Sequence, residues 1–86
     1  MATVRLNKDN NFRANVIATR TSITFLVNGT TADCFVYMPP RGRLLGQQQG
    51  VTAGNIATIN GAVVGNELEV QINRRDGKPG NATVTY

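Results

Sequence analysis

Residues 23–37 read Ile-Thr-Phe-Leu-Val-Asn-Gly-Thr-Thr-Ala-Asp-Cys-Phe-Val-Tyr, and this stretch decides the fold class. Alternating apolar residues flank Asn28-Gly29, the dipeptide most typical of a two-residue β-hairpin turn. We predict a hairpin whose register pairs Val27 with Thr30, Phe25 with Ala32, and Ile23 with Cys34. The face that these residues share is apolar, and we expect it to be buried in the core.

The opposite face of this segment is too apolar for an ordinary solvated surface. It carries Thr24, Leu26, Asp33, Phe35 and Tyr37. Three explanations stay open at this point. Both faces are buried within a closed barrel or sandwich, or Leu26, Phe35 and Tyr37 contact another chain. In the third explanation, the two aromatic rings stack on nucleic-acid bases.

The N-terminal residues alternate in the same way and predict a first hairpin. Its apolar faces coincide when Leu6 lies opposite Phe12, with a three-residue loop at 8–10. Asn10, in that loop, is the residue expected to take the left-handed conformation. The same register sets Arg5 opposite Arg13, and two neighbouring guanidinium groups repel slightly unless a carboxylate or another anion joins them.

The second half of the chain predicts two more hairpins. Asn60-Gly61 can turn residues 56–59 back onto residues 62–64. The last alternating runs flank a connection at 74–80. Their predicted register pairs Ile72 with Ala82, Val70 with Val84, and Leu68 with Tyr86.

These patterns predict an all-β protein. No window has a sustained helical period, and Asn, Gly and Thr are abundant. With 86 residues and 9.3 kDa, the chain can bury about 63% of its unfolded surface, which supports one small core. We therefore expect a single domain over residues 1–86, a small antiparallel barrel or sandwich of about seven to eight short strands.

Residues 38–50 are predicted to form a long connection. Two prolines end the preceding strand, because proline donates no hydrogen bond to a neighbouring strand. Arg41 and Arg43 are candidates for phosphate contacts. Leu44 and Leu45 would be unusual on a free loop, so we expect the loop to dock onto its own core or onto a neighbouring subunit.

The chain is basic, with nine Lys or Arg residues against five Asp or Glu residues and a net charge of +4. Seven of the nine bases are Arg, which binds phosphate and carboxylate groups in a bidentate manner. This balance makes single-stranded nucleic acid or another polyanion a possible partner. The last predicted turn carries three bases, which either solvate the tip or reach an anion. The candidate anion-binding or nucleic-acid-binding residues are Arg41, Arg43, Arg74, Arg75 and Lys78.

The composition argues against an enzyme and predicts no metal or cofactor. The chain has no His, the commonest general base and metal ligand, and its one Cys, Cys34, is expected to be a buried structural thiol. Glu67 and Glu69 are at strand spacing, which is typical of a solvated face. No signal peptide or membrane-spanning run is recognisable, so we expect a cytoplasmic or virion location.

The leading hypothesis is a non-enzymatic homo-oligomeric structural, assembly or interaction protein, such as a viral or filament component. Strand edges at 2–7 and 82–86 would permit strand addition between chains. The predicted interface residues are Leu26, Phe35, Tyr37, Leu44 and Leu45. One alternative is a single-stranded nucleic-acid-binding module shaped like an oligonucleotide-binding barrel, and another is a binder of a small anionic ligand between subunits.

Overall fold

The computed structural model describes residues 2–39 and 42–86, and all of its strand pairs are antiparallel. A single turn of 3-10 helix, Lys8–Asn10, joins the first two strands. The all-β prediction is confirmed. The eight strands are β1 (Thr3–Leu6), β2 (Arg13–Ile17), β3 (Ser22–Asn28), β4 (Ala32–Met38), β5 (Arg43–Val51), β6 (Ile56–Asn60), β7 (Glu67–Arg74) and β8 (Asn81–Thr85).

The strands form two four-stranded sheets that enclose one core. The first sheet has the order β1-β8-β3-β6 and the second has the order β2-β7-β4-β5. The strands pair as β1 with β8, β2 with β7, β3 with β6, and β4 with β5. The chain is therefore one long hairpin, folded back at the β4–β5 turn and wound so that successive pairs alternate between sheets. This is the topology of a jelly roll.

The predicted hairpins are wrong, because consecutive strands lie mostly in opposite sheets. Within the described chain, β4 and β5 are the one consecutive pair that is hydrogen-bonded. Asn28-Gly29 does turn the chain, with Gly29 at a φ of 74°, but β3 and β4 then enter different sheets. Alternation predicts which side chains face inward, and turn residues predict where the chain bends. Both patterns are the same whether the next strand pairs within the same sheet or joins the opposite sheet.

The first and last predicted registers fail for the same reason. Arg5 lies in the first sheet and Arg13 in the second, so the two are not cross-strand neighbours. Asn11 and Phe12, rather than Asn10, adopt the left-handed conformation, with φ of 56° and 61°. Strand β8 pairs with β1 and β3 on its two sides, so the segment 82–86 is not a free edge.

The segment predicted as a long connection contains a nine-residue strand, β5. Its glycines and three successive glutamines hide the alternation, and its register against β4 shifts at two places. Strand β4 ends at Met38, as the following proline predicts. Residues 62–64 form no strand, and the amide of Ala62 donates to the Thr21 carbonyl instead.

The core contains the inward-facing residues that alternation predicted. The central strand β3 contributes three fully buried side chains, and β7 and β8 contribute the apolar faces expected of them. Tyr86 packs against this core and is partly buried. The largest buried side chains are Phe25, Leu6, Ile23, Leu68, Val27, Val36, Val70 and Val84.

Replacing one core residue and its outward-facing neighbour tests this arrangement. Phe25 is fully buried, whereas Leu26 is 39% exposed on the outer surface of the same strand. We expect Phe25→Ala to lower the free energy of unfolding by about 3–5 kcal/mol. Leu26→Ala should cost less than about 1 kcal/mol in the monomer, because little surface is lost from the core. Urea denaturation followed by circular dichroism measures both; equal losses would contradict the assigned faces.

Candidate functional site

The structure distributes the five predicted interface residues over three places. Leu26 lies on the outer face of the first sheet, opposite Ile56 of β6. Phe35 and Tyr37 lie on the outer face of the second sheet, on the far side of the core. The sequence predicted that Leu26, Phe35 and Tyr37 share one face of a hairpin. In the structure they lie on the outer faces of opposite sheets.

The two leucines of β5 have different environments. Leu44 pairs with Tyr37 and is 43% exposed, so it extends the surface of the second sheet. Leu45 packs against the core and is within van der Waals reach of the position that a Cβ would take on Gly61. Docking of Leu45 onto its own core agrees with one of the two options that the sequence left open.

The outer face of the second sheet forms a polar surface around two aromatic rings, which we call the aromatic face. The rings of Phe35 and Tyr37 are stacked, with centroids 6.1 Å apart and planes at 21°. The register places polar side chains on both flanks of the pair. One row across the four strands is Arg13, Gln71, Phe35 and Gln47, and the next is Asn15, Glu69, Tyr37 and Leu44.

An open cleft adjoins this aromatic pair at the β2 edge. It has a volume of about 360 Å³ and is lined by Asn10, Arg13, Ala14, Asn15 and Glu69. Glu69 pairs with Tyr37 in the sheet, so one residue that lines the cleft neighbours the aromatic pair. Sequence reasoning missed this cleft, because β2 and β4 are brought to the two sides of β7 only by the sheet order.

The three bases of the predicted tip do not act as one group. Arg74 places its guanidinium 4.4 Å from the centroid of the Phe12 ring and donates to the Lys78 carbonyl oxygen. Arg75 turns toward the aromatic face, where its Nε lies 2.7 Å from Asp33 Oδ1. The two arginines are therefore committed to different neighbours within the chain.

The remaining predicted anion contacts are also scattered. Arg43 begins β5, next to Met38 at the far end of β4 from Arg75. Arg41 lies outside the described residues. Lys78 is exposed at the β7–β8 connection. Among the described members of the predicted nucleic-acid-binding set, Arg43 therefore lies at the opposite end of β4 from Arg74 and Arg75.

Asp76 ties the β7–β8 connection to the β3–β4 connection. Its carboxylate accepts hydrogen bonds from the Thr30 hydroxyl, the Thr31 amide and the Lys78 amide. The pKa of Asp76 is lowered, chiefly by the Thr30 hydroxyl and then by the Lys78 amide. A lowered pKa in the folded state stabilises the fold above the unfolded pKa of about 3.9, and this contribution disappears as pH falls through the folded value.

We expect Asp76→Asn to lower the urea midpoint at pH 7. The difference from the wild type should narrow as the pH falls from about 5 toward about 2, because the wild-type carboxylate then protonates. Thr30→Val is the matched control: in that background, Asp76→Asn should have a smaller effect. An equal difference at pH 2 and pH 7 would show that ionised Asp76 contributes nothing to the fold.

Cys34 is a structural residue, as predicted. It is fully buried on β4, and burial, followed by the charge of Asp33, raises the pKa of its thiol to about 12. Thiolate is the reactive form, so we expect this thiol to react slowly at neutral pH. Among the described residues, no group of three or more His, Cys, Asp or Glu is placed to hold a metal ion.

The reactivity of Cys34 can be measured with an aromatic disulfide reagent. In native protein, we expect labelling only at the rate at which the fold opens, and fast labelling in urea. The control is Cys34→Ser combined with Thr58→Cys, which moves the thiol to an exposed position on β6. Rapid native labelling of wild-type Cys34, comparable to this control, would contradict its burial.

Another region of the structure contributes no charged side chain of its own, although Arg75 donates a hydrogen bond to Gln49 within it. Residues 44–66 are a run of 23 residues without Asp, Glu, Lys or Arg. They include most of β5, all of β6 and the connections that follow each, and β5 lies against β6. We call this surface the uncharged side. The length of the charge-free run is the sequence signal that could have located it.

The uncharged side is also rich in exposed apolar residues. Four large ones lie within it, and Leu26 adjoins Ile56 across the β3–β6 pair. Ile17 is exposed near the β6–β7 connection, since its neighbour Ala18 exchanges hydrogen bonds with Gly65 and Asn66. The four residues within the uncharged side are Leu44, Ile56, Val63 and Val64.

Comparisons with protein families, curated proteins and solved structures find no match to this chain. No helix within residues 2–39 and 42–86 has the length and hydropathy needed to cross a bilayer.

Proposed function

We propose that this protein is a non-enzymatic building block that assembles with copies of itself through the uncharged side. The observation that carries this proposal is the coincidence of three features within residues 44–66: no charged residue, two sheet edges, and four exposed large apolar side chains. Any one of these is common on a monomer. Together they match the charge-depleted, apolar centre of a protein interface.

The two edges make strand pairing between copies possible. Strands β5 and β6 are the last strands of their sheets, so each has backbone amides and carbonyls with no neighbouring strand. Natural proteins commonly protect such edges with charged residues or proline. Strand β6 has neither, and β5 has one charge, at its first residue, Arg43. The opposite edges differ, because β1 carries Arg5 and β2 carries Arg13.

The distribution of charge favours the same side. A chain with a net charge of +4 repels its own copies at a distance. All nine basic residues lie outside residues 44–66, although Arg43 directly precedes this run and Arg75 donates to Gln49 within it. Salt screens the remaining repulsion, so this association should be as strong or stronger at high ionic strength.

The size of the surface is adequate for a stable contact. A standard interface covers about 800 Å² on each partner. The chain exposes 4865 Å² in total, and its Cα atoms span 33 × 21 × 20 Å. About one sixth of the surface is therefore needed, which a longer side of this sandwich can supply.

The jelly-roll topology supports an assembly role by analogy. Eight-stranded jelly rolls occur in viral capsid and lectin domains as well as in cupins. Fold alone does not establish function. We propose a virion or cytoplasmic assembly as the setting, in keeping with the sequence-based expectation.

Nucleic-acid binding receives less support from the geometry. Arg74 and Arg75 are engaged by Phe12 and Asp33, and the aromatic rings are on a face where positive and negative residues balance. Binding of a small anion between subunits has no gathered basic site in the described residues either. Nucleic-acid binding and the binding of a small anion between subunits therefore stay predictions.

Substitution on β6 tests the assembly. Ile56 is 61% exposed on this edge strand, so Ile56→Lys should leave the monomer folded while placing a buried charge in the contact. We expect the wild type to elute as a defined multiple of 9.3 kDa or as a polymer, and Ile56→Lys to shift to the monomer mass. Size-exclusion chromatography with light scattering, at low and high salt, measures both masses.

Thr3→Lys is the matched control, because Thr3 is exposed on β1, an edge strand on the charged side of the sandwich. This variant should keep the wild-type mass. A wild type that is monomeric at high concentration, or a mass that Ile56→Lys leaves unchanged, would refute the proposed interface. Association that weakens with salt and carries excess absorbance at 260 nm would favour nucleic acid instead.

A further inference from the structure

The geometry of the aromatic face points to a second binding site, one for a neutral oligosaccharide. A sugar ring would stack on the Phe35–Tyr37 pair and extend over Glu69 into the cleft at the β2 edge. This site is on the outer face of the second sheet, where Leu44 borders it, whereas Ile56 of the proposed contact between copies lies in the first sheet. Four observations support it: the stacked rings, the cleft, the free polar side chains around it, and the balance of charge.

The aromatic pair provides an apolar platform of the right kind. Phe35 and Tyr37 project from the same face of β4 and are both partly exposed. Their planes are within 21° of each other, so the two rings are nearly parallel. The face of a pyranose ring carries C–H groups that pack on such a surface, while its hydroxyls point outward around the rim. A large aromatic surface with polar groups at its border matches this division.

Four polar side chains beside the rings and the cleft are unengaged, whereas Asn10 and Gln47 make hydrogen bonds within the chain. Within the described residues, no intramolecular hydrogen bond or ion pair holds the side chains of Arg13, Asn15, Glu69 or Gln71. Elsewhere on the same face, Arg75 and Asp33 are paired with each other. Side-chain amides donate and accept, and ionised carboxylates accept, in the side-by-side geometry that vicinal hydroxyls require. Free groups of this kind, beside a cleft, are available to a ligand.

The cleft adds depth to an otherwise flat sheet. Its volume of about 360 Å³ falls at the lower end of the range for small-molecule sites, about 300–1,000 Å³. Asn10, Arg13, Asn15 and Glu69 converge on it from the β1–β2 connection, β2 and β7. The adjoining rings and cleft would accommodate consecutive sugar units of one chain.

The charge on this face favours a neutral ligand over a polyanion. Arg13 and Glu69 balance each other at the cleft, and Arg75 and Asp33 balance each other beyond Phe35. Nucleic-acid binding depends on neutralising phosphates with an excess of basic residues, which this face lacks. Hydroxyl-rich neutral sugars need no such excess.

The test is a titration followed by amide chemical shifts of the isotope-labelled protein. The probes are maltohexaose, cellohexaose, xylohexaose and chitohexaose at millimolar concentration, with hexathymidylate as the anionic comparison. We expect at least one sugar to shift the resonances of β2, β4 and β7 on the aromatic face. Tyr37→Ala should weaken that binding about tenfold or more, since it removes half of the platform.

Gln71→Ala and Thr24→Ala complete the design. Gln71 borders Phe35, and its truncation should also weaken binding, so the site stays testable even if Tyr37→Ala fails to fold. Thr24 is on the outer face of the opposite sheet, and Thr24→Ala should bind like the wild type. The inference is overturned if none of the four sugars shifts these resonances or if Gln71→Ala binds sugar like the wild type. It is also overturned if hexathymidylate alone shifts them in a salt-sensitive way.

The self-assembly proposal and the sugar-binding proposal can be refuted separately. Ile56→Lys should abolish assembly without changing the sugar affinity, because β6 belongs to the first sheet and the aromatic face to the second. Tyr37→Ala should lower the sugar affinity without producing monomers. If Tyr37→Ala instead dissociates the assembly into monomers, the aromatic face is a contact between copies and the sugar site is refuted.

Discussion

The nested pairing of strands is the constraint on which the rest of this structure depends. Pairing β1 with β8, β2 with β7, β3 with β6, and β4 with β5 makes the chain a single wound ribbon. Because successive strand pairs lie in opposite sheets, each connection except the β4–β5 turn must run from one sheet to the other. Every inward-facing side chain then meets the same core, which an 86-residue chain needs in order to bury enough surface.

The winding also decides how charge is distributed over the outside. It sets β1 against β2 at one side and β5 against β6 at the other. The parts of the charge-free run that form β5 and β6 thereby lie together at one side of the molecule, while Arg5 and Arg13 mark the opposite side. A local property of the sequence becomes a surface property only through this topology.

The connections at one end are held by specific contacts that the winding brings together. Asp76 on the β7–β8 connection accepts from Thr30 on the β3–β4 connection, and Arg74 covers the ring of Phe12. Gly80 is required there, because a Cβ at this position would lie 2.5 Å from the Asn28 carbonyl oxygen. These contacts engage Arg74, which the sequence analysis predicted to bind an anion.

Much of the local structure was predictable. The alternation of Ile23, Phe25 and Val27 and of Leu68, Val70 and Ile72 indicates strands and their buried faces, since burial follows the two-residue period of a strand. Strand β5 was not predictable in this way, because glycine and glutamine obscure its period. The cleft beside Glu69 was not predictable either, because its walls come from strands far apart in the chain.

The sequence by itself determined the all-β class, the inward and outward faces of most strands, the buried thiol of Cys34, and the charge-free run. Each depends on the local period or on composition, which neighbours along the chain specify. The tertiary structure alone decided the strand partners, the separation of Leu26 from Phe35 and Tyr37, and the engagement of Arg74 and Arg75. Backbone hydrogen bonds between strands are alike for every partner. Only the simultaneous packing of both sheets on one core selects among partners.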